Sequence, residues 1–173
     1  MMLDLTAGNR TMWTCKDSPH VVYLDVEVEL ALPPTVIADS RYLPFRSEVF
    51  DTIFFDPPHA WGKRKWQGYH CSPRDAYGRH VTAYYGWDKY PTRGALLRYV
   101  YDTAREAARV TKPDGVLWFK WCDLNSPLEA VLPLLVGWRP LLRIRSSDER
   151  KLSRAETWWV MLGKDGVVGR EGV

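Results

Sequence analysis

The sequence predicts an α/β fold built on a doubly wound sheet. Short apolar runs recur along the chain, and the first four of them each carry an acidic residue at or just past their end, namely Asp4, Asp25, Asp39 and Asp56. Later in the chain, residues 95–110 place apolar side chains at helical spacing. Strands that alternate with helices are typical of sheets whose faces are covered by helices. The 173 residues are enough for one such domain.

Composition narrows the class of protein. Lysine and arginine number 24 against 21 acidic residues, a net charge of +3 that permits a polyanionic partner without requiring one. Three widely spaced cysteines without a CxxC pair indicate neither a disulfide framework nor a cysteine zinc site, and they favour a reducing, cytoplasmic setting. No signal peptide precedes the first strand, and the longest apolar runs fall short of the roughly 20 residues that span a bilayer. We therefore expect a soluble protein without a membrane partner.

The first apolar run, residues 2–5, leads directly into a turn of small residues. The turn reads Thr6-Ala7-Gly8-Asn9-Arg10, and the residues after it favour a brief helix that ends near residue 18. A strand followed by a glycine turn and the start of a helix leaves backbone N–H groups unpaired and pointing outward. This arrangement predicts an anion or cofactor site.

The next two runs also end on acidic residues. Residues 21–24 form a second strand that closes on Asp25, where a ribose-binding acid belongs in a nucleotide-binding βαβ unit, and Glu27 competes for that role. Residues 35–38 form a third strand that ends in Asp39 and Ser40. Each acidic residue taken alone is typical of a polar strand end or a helix cap. Together with the glycine turn they favour a nucleotide-type site.

The fourth run, residues 52–55, is apolar and predicts a parallel strand buried on both faces. It is followed by Asp56, Pro57, Pro58 and His59. Prolines cannot continue a sheet ladder and have a fixed φ, so the chain leaves the sheet as a stiff, extended turn. The turn presents Asp56 and the His59 ring at the edge where open α/β sheets bind ligands. A purely structural turn, with His59 in a packing role, is the alternative.

Residues 60–93 differ in character from the rest of the chain. They contain eight Trp or Tyr and seven Lys or Arg against two acids, so their local charge is +5. We interpret them as a substrate-recognition insertion, since structureless connections of this length are otherwise uncommon in compact domains. A protein interface or a satellite core is the alternative, and the histidines and cysteine of this segment match no strong metal pattern. The candidate substrate-binding residues are Trp61, Lys63, Arg64, Lys65, Trp66, Arg74, Arg79, Tyr84 and Tyr85.

The remaining elements complete the alternation. A helix over residues 95–110 stops at the Lys-Pro-Asp-Gly sequence of residues 112–115, and a fifth strand follows at 116–121. Asn125 or Ser126 caps a second helix, which carries Pro127 at its start and covers residues 128–136. Residues 140–145 and 157–162 are two further strands that can pair antiparallel. Residues 1–162 then form one domain, and residues 163–173 form a flexible tail.

In this order the motifs resemble the class I S-adenosylmethionine-dependent methyltransferases. The resemblance rests on LDLTAGNR at residues 3–10, the acids of the next two strands, DPPH at residues 56–59 and KPDGVLWFKW at residues 112–121. It implies a Rossmann-like, seven-stranded, mostly parallel sheet with the last strand antiparallel. DPPH is similar to the DPPY-type motif of the branch that methylates exocyclic amino groups of nucleic-acid bases.

The resemblance also implies roles for individual residues. Asp4 would hold the amino group of S-adenosylmethionine, Asp25 would accept hydrogen bonds from its ribose, and Asp39 with the backbone of Ser40 would bind the adenine edge. The residues that would wrap the methionine part are Thr6, Ala7, Gly8 and Asn9. Arg10 departs from the family pattern, which usually has a small residue there.

The chemistry of an amino-methyltransferase explains why these residue types are needed. The lone pair of an exocyclic amine is delocalised into the base, and acceptors at Asp56 and the Pro57 carbonyl would favour a pyramidal nitrogen. His59 stands where relatives carry an aromatic ring that stacks on an extruded base, and the reaction needs no metal. We therefore expect an enzyme that methylates cytosine N4 or adenine N6 in RNA or in single-stranded or looped DNA, with RNA favoured. The alternatives are a methyltransferase for small molecules or protein amides, and a non-catalytic nucleic-acid-binding module with this fold.

Overall fold

A seven-stranded sheet forms the centre of the computed structural model, which describes residues 1–62, 89–123, 125–146 and 156–165. The strand order is β3-β2-β1-β4-β5-β7-β6. Neighbours from β3 to β5 pair in parallel, whereas β7 is antiparallel to both β5 and β6. The predicted seven-stranded, mostly parallel sheet with its last strand antiparallel is therefore confirmed. The strands are β1 (Met2–Asp4), β2 (Val21–Asp25), β3 (Val36–Ile37), β4 (Phe50–Phe55), β5 (Thr111–Cys122), β6 (Trp138–Ser146) and β7 (Thr157–Lys164).

The main helix, α1 (Arg93–Val110), forms where the helical spacing predicts it. Thr92 caps its N-terminus, since the Thr92 side chain accepts a hydrogen bond from the backbone N–H of Ala95. Its buried stripe packs into the core of the domain. At the start of β6, the Trp138 indole donates a 3.0 Å hydrogen bond to the carbonyl of Ala104 in α1, which ties the helix to the far part of the sheet.

Side chains that alternate along the strands give the sheet one fully buried face and one that is less buried. Leu3, Ile53, Leu117 and Leu162 are cross-strand neighbours in β1, β4, β5 and β7, and all four are fully buried in the core that includes α1. Successive side chains of a strand point to opposite faces. The next row, which begins with Asp4 and continues with Phe54 and Trp118, therefore points to the other face of the sheet.

Three of the early predictions of secondary structure need correction. The brief helix expected before residue 18 is absent, because residues 5–20 form turns and bends. A helix this short is marginal in water, and the side chain of Trp13 instead packs edge-on against Tyr23 and Phe54. The third strand is also shorter than expected and is limited to β3, whereas β4 begins two residues before the predicted start.

The Lys-Pro-Asp-Gly sequence is part of β5 and does not separate α1 from that strand. Phe50 pairs with Thr111 and Thr52 pairs with Val116, so residues 112–115 form an irregularity within the β4–β5 ladder. A Cβ atom at Gly115 would lie 2.3 Å from the Thr111 side chain, which explains why this position has no side chain.

The second predicted helix is largely replaced by a shorter arrangement. Helix α2 (Leu128–Val131) has four residues and is followed by the 3-10 turn Leu132–Leu134. Pro133 lacks the N–H that an α-helix would need at that point. Neither predicted cap acts as one: Ser126 accepts a hydrogen bond from Arg93 Nε (2.9 Å), and the Asn125 amide donates to the carbonyl of His59 (3.4 Å).

Several predicted features lie at or beyond the limits of the described residues. Most of the insertion falls outside them, since residues 63–88 are not described, and so do residues 166–173 of the predicted tail. Strand β7 extends to Lys164, two residues past the predicted end of the last strand. Among the helices that the structure describes, none is long and apolar enough to cross a membrane.

Candidate active site

The candidate site lies where the strand order changes direction. Strands β1 and β4 are neighbours, and the order runs from β1 to β2 and β3 on one side and from β4 to β5 on the other. Ligands of open α/β sheets bind at this point, beyond the carboxyl ends of the strands. The glycine turn follows β1 and the DPPH sequence follows β4, so both of the strongest motifs meet at this edge.

The turn after β1 is attached to the end of β2. The backbone N–H of Gly8 donates a 2.9 Å hydrogen bond to Asp25 Oδ2, and the N–H of Ala7 donates a 3.0 Å bond to the carbonyl of Leu24. Gly8 has φ of 48°, a left-handed conformation that favours glycine. A Cβ atom added to Gly8 would meet no heavy atom within 4 Å, so the turn leaves open space beside its backbone.

Asp4 is a fully buried carboxyl group at this edge. It accepts hydrogen bonds from Trp13 Nε1 (2.7 Å) and from the backbone N–H of Thr6 (3.2 Å). The pKa of Asp4 is raised to about 7, mainly by burial; the two hydrogen bonds oppose this rise, and the nearby carboxylates of Asp56 and Asp25 contribute to it. A buried acid among other acids favours a cation beside it. Trp13 was not among the predicted site residues, and no sequence pattern marks it.

The structure distinguishes between the two candidate ribose-binding acids. Asp25 faces the glycine turn and also accepts a 2.9 Å hydrogen bond from the backbone N–H of Glu27. The Glu27 side chain is exposed and accepts from the backbone N–H of Glu29, two residues further along its own loop. Of the two candidates, Asp25 is therefore the acid that contacts the glycine turn, and its oxygens hold backbone groups in this conformation.

The side chains after β3 are engaged with other protein groups. Asp39 forms an ion pair with Arg41 at 2.6 Å, and hydrogen bonds from that guanidinium lower the pKa of the Asp39 carboxyl. The buried hydroxyl of Ser40 lies 2.9 Å from the hydroxyl of Tyr99 and 3.2 Å from that of Thr103. The predicted adenine-binding role therefore depends mainly on the backbone of Ser40.

Asn9 and Arg10 hold the loop that follows β2. Asn9 Oδ1 accepts a 2.8 Å hydrogen bond from the backbone N–H of Ala31. The Arg10 guanidinium lies 3.9 Å from the centroid of the Tyr23 ring and donates to the carbonyls of Pro33, at 2.6 Å, and Lys16. Arg10 is thus placed over an aromatic ring beside the turn, where cation–π attraction stabilises it.

The DPPH sequence contacts the glycine turn after β1 and the neighbouring strand β5. The backbone N–H of Asp56 donates a 3.0 Å hydrogen bond to Thr6 Oγ1 of the glycine turn. Asp56 Oδ2 accepts a 2.6 Å hydrogen bond from Lys120 Nζ of β5. Pro57 is buried, while Pro58 and His59 are half-buried. Burial lowers the pKa of His59, Asp56 opposes that shift, and Lys120 adds to it. Sequence reasoning missed Lys120, although a lysine inside an apolar strand was a usable signal.

The described ends of the insertion meet near this edge. The backbone N–H of Gly62 donates a 2.7 Å hydrogen bond to the carbonyl of Tyr90, and the Tyr90 ring lies 5.3 Å from that of Tyr99. Trp61 packs against the core, and its buried Nε1 has no hydrogen-bond partner among the residues that the structure describes. The remaining predicted substrate-binding residues lie outside the described part of the chain: Lys63, Arg64, Lys65, Trp66, Arg74, Arg79, Tyr84 and Tyr85.

Among the described residues, neither a metal-binding cluster nor a concave surface marks a second candidate site. Within the described residues, no group of three or more His, Cys, Asp or Glu side chains could hold a metal ion. A concave surface with a volume of about 300 Å³ lies at the opposite edge of the sheet, lined by Asp51 and residues 112–115 among others. It is formed at the start of β4 and β5 and does not include the candidate site.

Solved structures match this fold, although no protein-family model and no curated protein sequence matches the chain. The cyclase SpnF has a TM-score of 0.58 at 12% identity over 95% of this chain and 74% of that one. A protein from Pyrococcus horikoshii OT3 has a TM-score of 0.59 at 12% identity over 95% and 81%. The N-methyltransferase NodS from Bradyrhizobium japonicum WM9 has a TM-score of 0.57 at 12% identity over 94% and 84%.

These similarities and the strand order define the fold as that of the class I S-adenosylmethionine-dependent methyltransferases. The fold expected from the motifs is therefore confirmed. Proteins of this fold include one named as a cyclase and one named as an N-methyltransferase. Because one fold can carry different reactions, the reaction of this chain must be argued from its site.

Proposed function

We propose that this protein is an S-adenosylmethionine-dependent N-methyltransferase that acts on the exocyclic amino group of cytosine or adenine in a nucleic acid. The observation that carries the proposal is the position of Asp56 and Pro57. They follow β4 at the point where the strand order reverses, and Thr6 of the glycine turn is hydrogen-bonded to the backbone of Asp56. A cofactor turn and an acceptor for an amine are therefore adjacent.

The residues at the β1 end suit this cofactor. The open space at Gly8 allows a ligand to approach the turn backbone, and the buried carboxyl of Asp4 favours a cationic group such as an ammonium. Asp25 lies at the end of β2. Its oxygens now accept hydrogen bonds from two backbone N–H groups, and ribose hydroxyls would compete with those groups for the same oxygens. When bound, S-adenosylmethionine supplies an electrophilic methyl group on its sulfonium sulfur.

Asp56 and Pro57 would orient the amine. The Asp56 carboxylate and the Pro57 carbonyl accept hydrogen bonds from its two N–H groups, which directs the nitrogen lone pair away from them. Orientation of this kind supplies up to about 7–11 kcal/mol of a barrier in well-aligned reactions. The proton released from the nitrogen passes to solvent or through Asp56, so the chain needs no metal for this step.

His59 and the insertion would bind the base and its flanking nucleotides. The lowered pKa of His59 keeps its half-buried ring neutral near pH 7, and a neutral imidazole can stack on a base. The basic and aromatic composition of residues 60–93 suits phosphates and unstacked bases. These features favour RNA or single-stranded DNA over an intact duplex, and we favour RNA.

The test is a methyl-transfer assay with radiolabelled S-adenosylmethionine. Separate pools of RNA, single-stranded DNA, duplex DNA and protein are incubated with the wild type and with Asp56→Ala, and labelled products are digested and identified by mass spectrometry. We expect label on an exocyclic amine of one base with the wild type and none with Asp56→Ala, while calorimetry shows cofactor binding by both.

Other outcomes would assign a different function. Label confined to the protein pool or to an added small-molecule amine would overturn the nucleic-acid substrate and retain the methyltransferase. Cofactor binding without transfer to any pool would favour a binding module. Equal loss of cofactor binding and transfer in Asp56→Ala would show that Asp56 serves the fold or the cofactor.

A further inference from the structure

We propose that Lys120 is a positioning residue for methyl transfer, which holds the Asp56 carboxylate by one oxygen so that the other faces the substrate amine. This inference rests on the function proposed above. It concerns a residue of β5 that lies 64 positions from Asp56 in the sequence.

Strand register places the two side chains together. Phe55 of β4 pairs with Phe119 of β5, so Asp56 and Lys120 are the next residues along two parallel neighbours. Lys120 Nζ donates to Asp56 Oδ2 at 2.6 Å. The backbone N–H of Asp56 is held at the same time by Thr6 Oγ1 at 3.0 Å. With its backbone and one oxygen both held, the carboxylate has a defined orientation, and among the described residues Oδ1 accepts no hydrogen bond.

The surroundings of Lys120 direct its ammonium group towards the site. Lys120 lies opposite Trp159 in the β5–β7 pair, with Nζ 5.7 Å from the centroid of the Trp159 ring. Its neighbours along the strand, Phe119 and Trp121, are buried on the opposite face. The Lys120 side chain is therefore largely covered, and its ionic partner is the carboxylate of the proposed acceptor.

Stability does not explain this contact well. Both side chains are about one-third exposed (33% for Lys120 and 34% for Asp56), and pairs of this exposure contribute little to folding. Orientation matters more, because a misplacement of about 1 Å in an active site can reduce the rate by about 100-fold. The contact should therefore affect catalysis far more than folding.

The experiment compares Lys120→Met and Lys120→Arg with Lys112→Met as the matched control. Lys112 forms a similar pair with Asp51 at 2.7 Å, but at the opposite edge of the sheet. We expect Lys120→Met to lower kcat by about 100-fold with little change in cofactor Kd or Tm, and Lys120→Arg to recover most of that loss. Lys112→Met should leave kcat unchanged. A kcat of Lys120→Met within about twofold of the wild type would overturn the proposal.

A second readout separates failure of this inference from failure of the proposed function. Lys120 lowers the pKa of His59 and Asp56 raises it, so NMR titration of His59 tests, without any substrate, whether both charges lie beside the imidazole as the contact requires. Lys120→Met should raise that pKa and Asp56→Asn should lower it. Unchanged titration in both variants would overturn the contact itself. If the two variants show the expected pKa shifts but the wild type transfers no methyl group, the contact is retained and both the proposed function and the positioning role are overturned.

Discussion

Trp13 Nε1 donates a 2.7 Å hydrogen bond to the carboxyl group of Asp4, a residue that is fully buried at the end of β1. The indole ring also packs edge-on against Phe54 of the neighbouring strand, with ring centroids 4.9 Å apart. The loop after the glycine turn therefore closes over the acid and removes it from water. Burial is the main physical cause of the raised pKa of Asp4, and the hydrogen bond from Trp13 opposes that rise.

The first prediction concerns the pH dependence of stability through Asp4. The pKa of its carboxyl rises from an ordinary 3.8 to about 7 on folding, so the folded protein binds this proton more tightly than the unfolded chain does. The stabilising contribution of the protonated Asp4 carboxyl is fully present below about pH 4 and is lost as the pH rises through about 7. A shift of this size corresponds to at most about 4 kcal/mol.

We therefore expect Asp4→Asn to reduce the loss of unfolding free energy between pH 4 and pH 8. Urea denaturation of both proteins without cofactor, at several values across that range, measures the difference. An identical pH dependence in the wild type and the variant would show that folding does not raise the pKa of Asp4.

The second prediction concerns Thr6, whose hydroxyl accepts a hydrogen bond from the backbone of Asp56. Thr6→Val keeps the shape of the side chain and removes the acceptor, which leaves the N–H of Asp56 without this partner. We expect a loss of about 1–3 kcal/mol in unfolding free energy and a larger relative loss of methyl transfer. Thr6→Ser keeps the hydroxyl and serves as the control. Equal activity in the valine and serine variants would contradict a role for this hydrogen bond.

The third prediction tests the irregular start of β5. A Cβ atom at Gly115 would lie 2.3 Å from Thr111 Cγ2 and 2.9 Å from the carbonyl oxygen of Asp51. We expect Gly115→Ala to destabilise the protein by about 1–3 kcal/mol, in the range of overpacking substitutions. Gly94→Ala is the control, since its nearest contact would be 3.8 Å away and alanine favours the helix there. Thermal unfolding should show a lower Tm for Gly115→Ala and a higher Tm for Gly94→Ala. An unchanged Tm of Gly115→Ala would contradict the tight packing.

The fourth prediction concerns nucleic-acid binding by the insertion, which is proposed from composition. Replacement of Lys63, Arg64 and Lys65 with alanine should weaken binding to all RNA sequences and reduce the salt dependence of the affinity. Fluorescence anisotropy at several salt concentrations measures the slope. Replacement of Lys112 and Lys164 with alanine removes charge from the opposite edge of the sheet and should leave the slope unchanged. An equal effect of both sets would indicate non-specific attraction by total charge.

The amino-acid sequence alone determined most of the elements and the position of the strongest motif. Helical spacing of apolar residues predicted α1, and short apolar runs predicted the cores of β2, β4 and β7, because both signals depend on neighbouring residues within one element. Prolines that cannot extend a sheet also predicted that Asp56 would stand just beyond β4. The expected helix before residue 18 was wrong because so short a segment follows its tertiary contacts and not its own propensity.

Only the tertiary structure decided which distant side chains meet. Lys120 pairs with Asp56 across 64 residues because two parallel strands lie in one register, and Asp25 is preferred over Glu27 because the glycine turn closes on one of them. The burial of Asp4 under Trp13 follows from how a loop folds back over the sheet. Strand register and loop closure depend on long-range packing, which local patterns of residues do not encode.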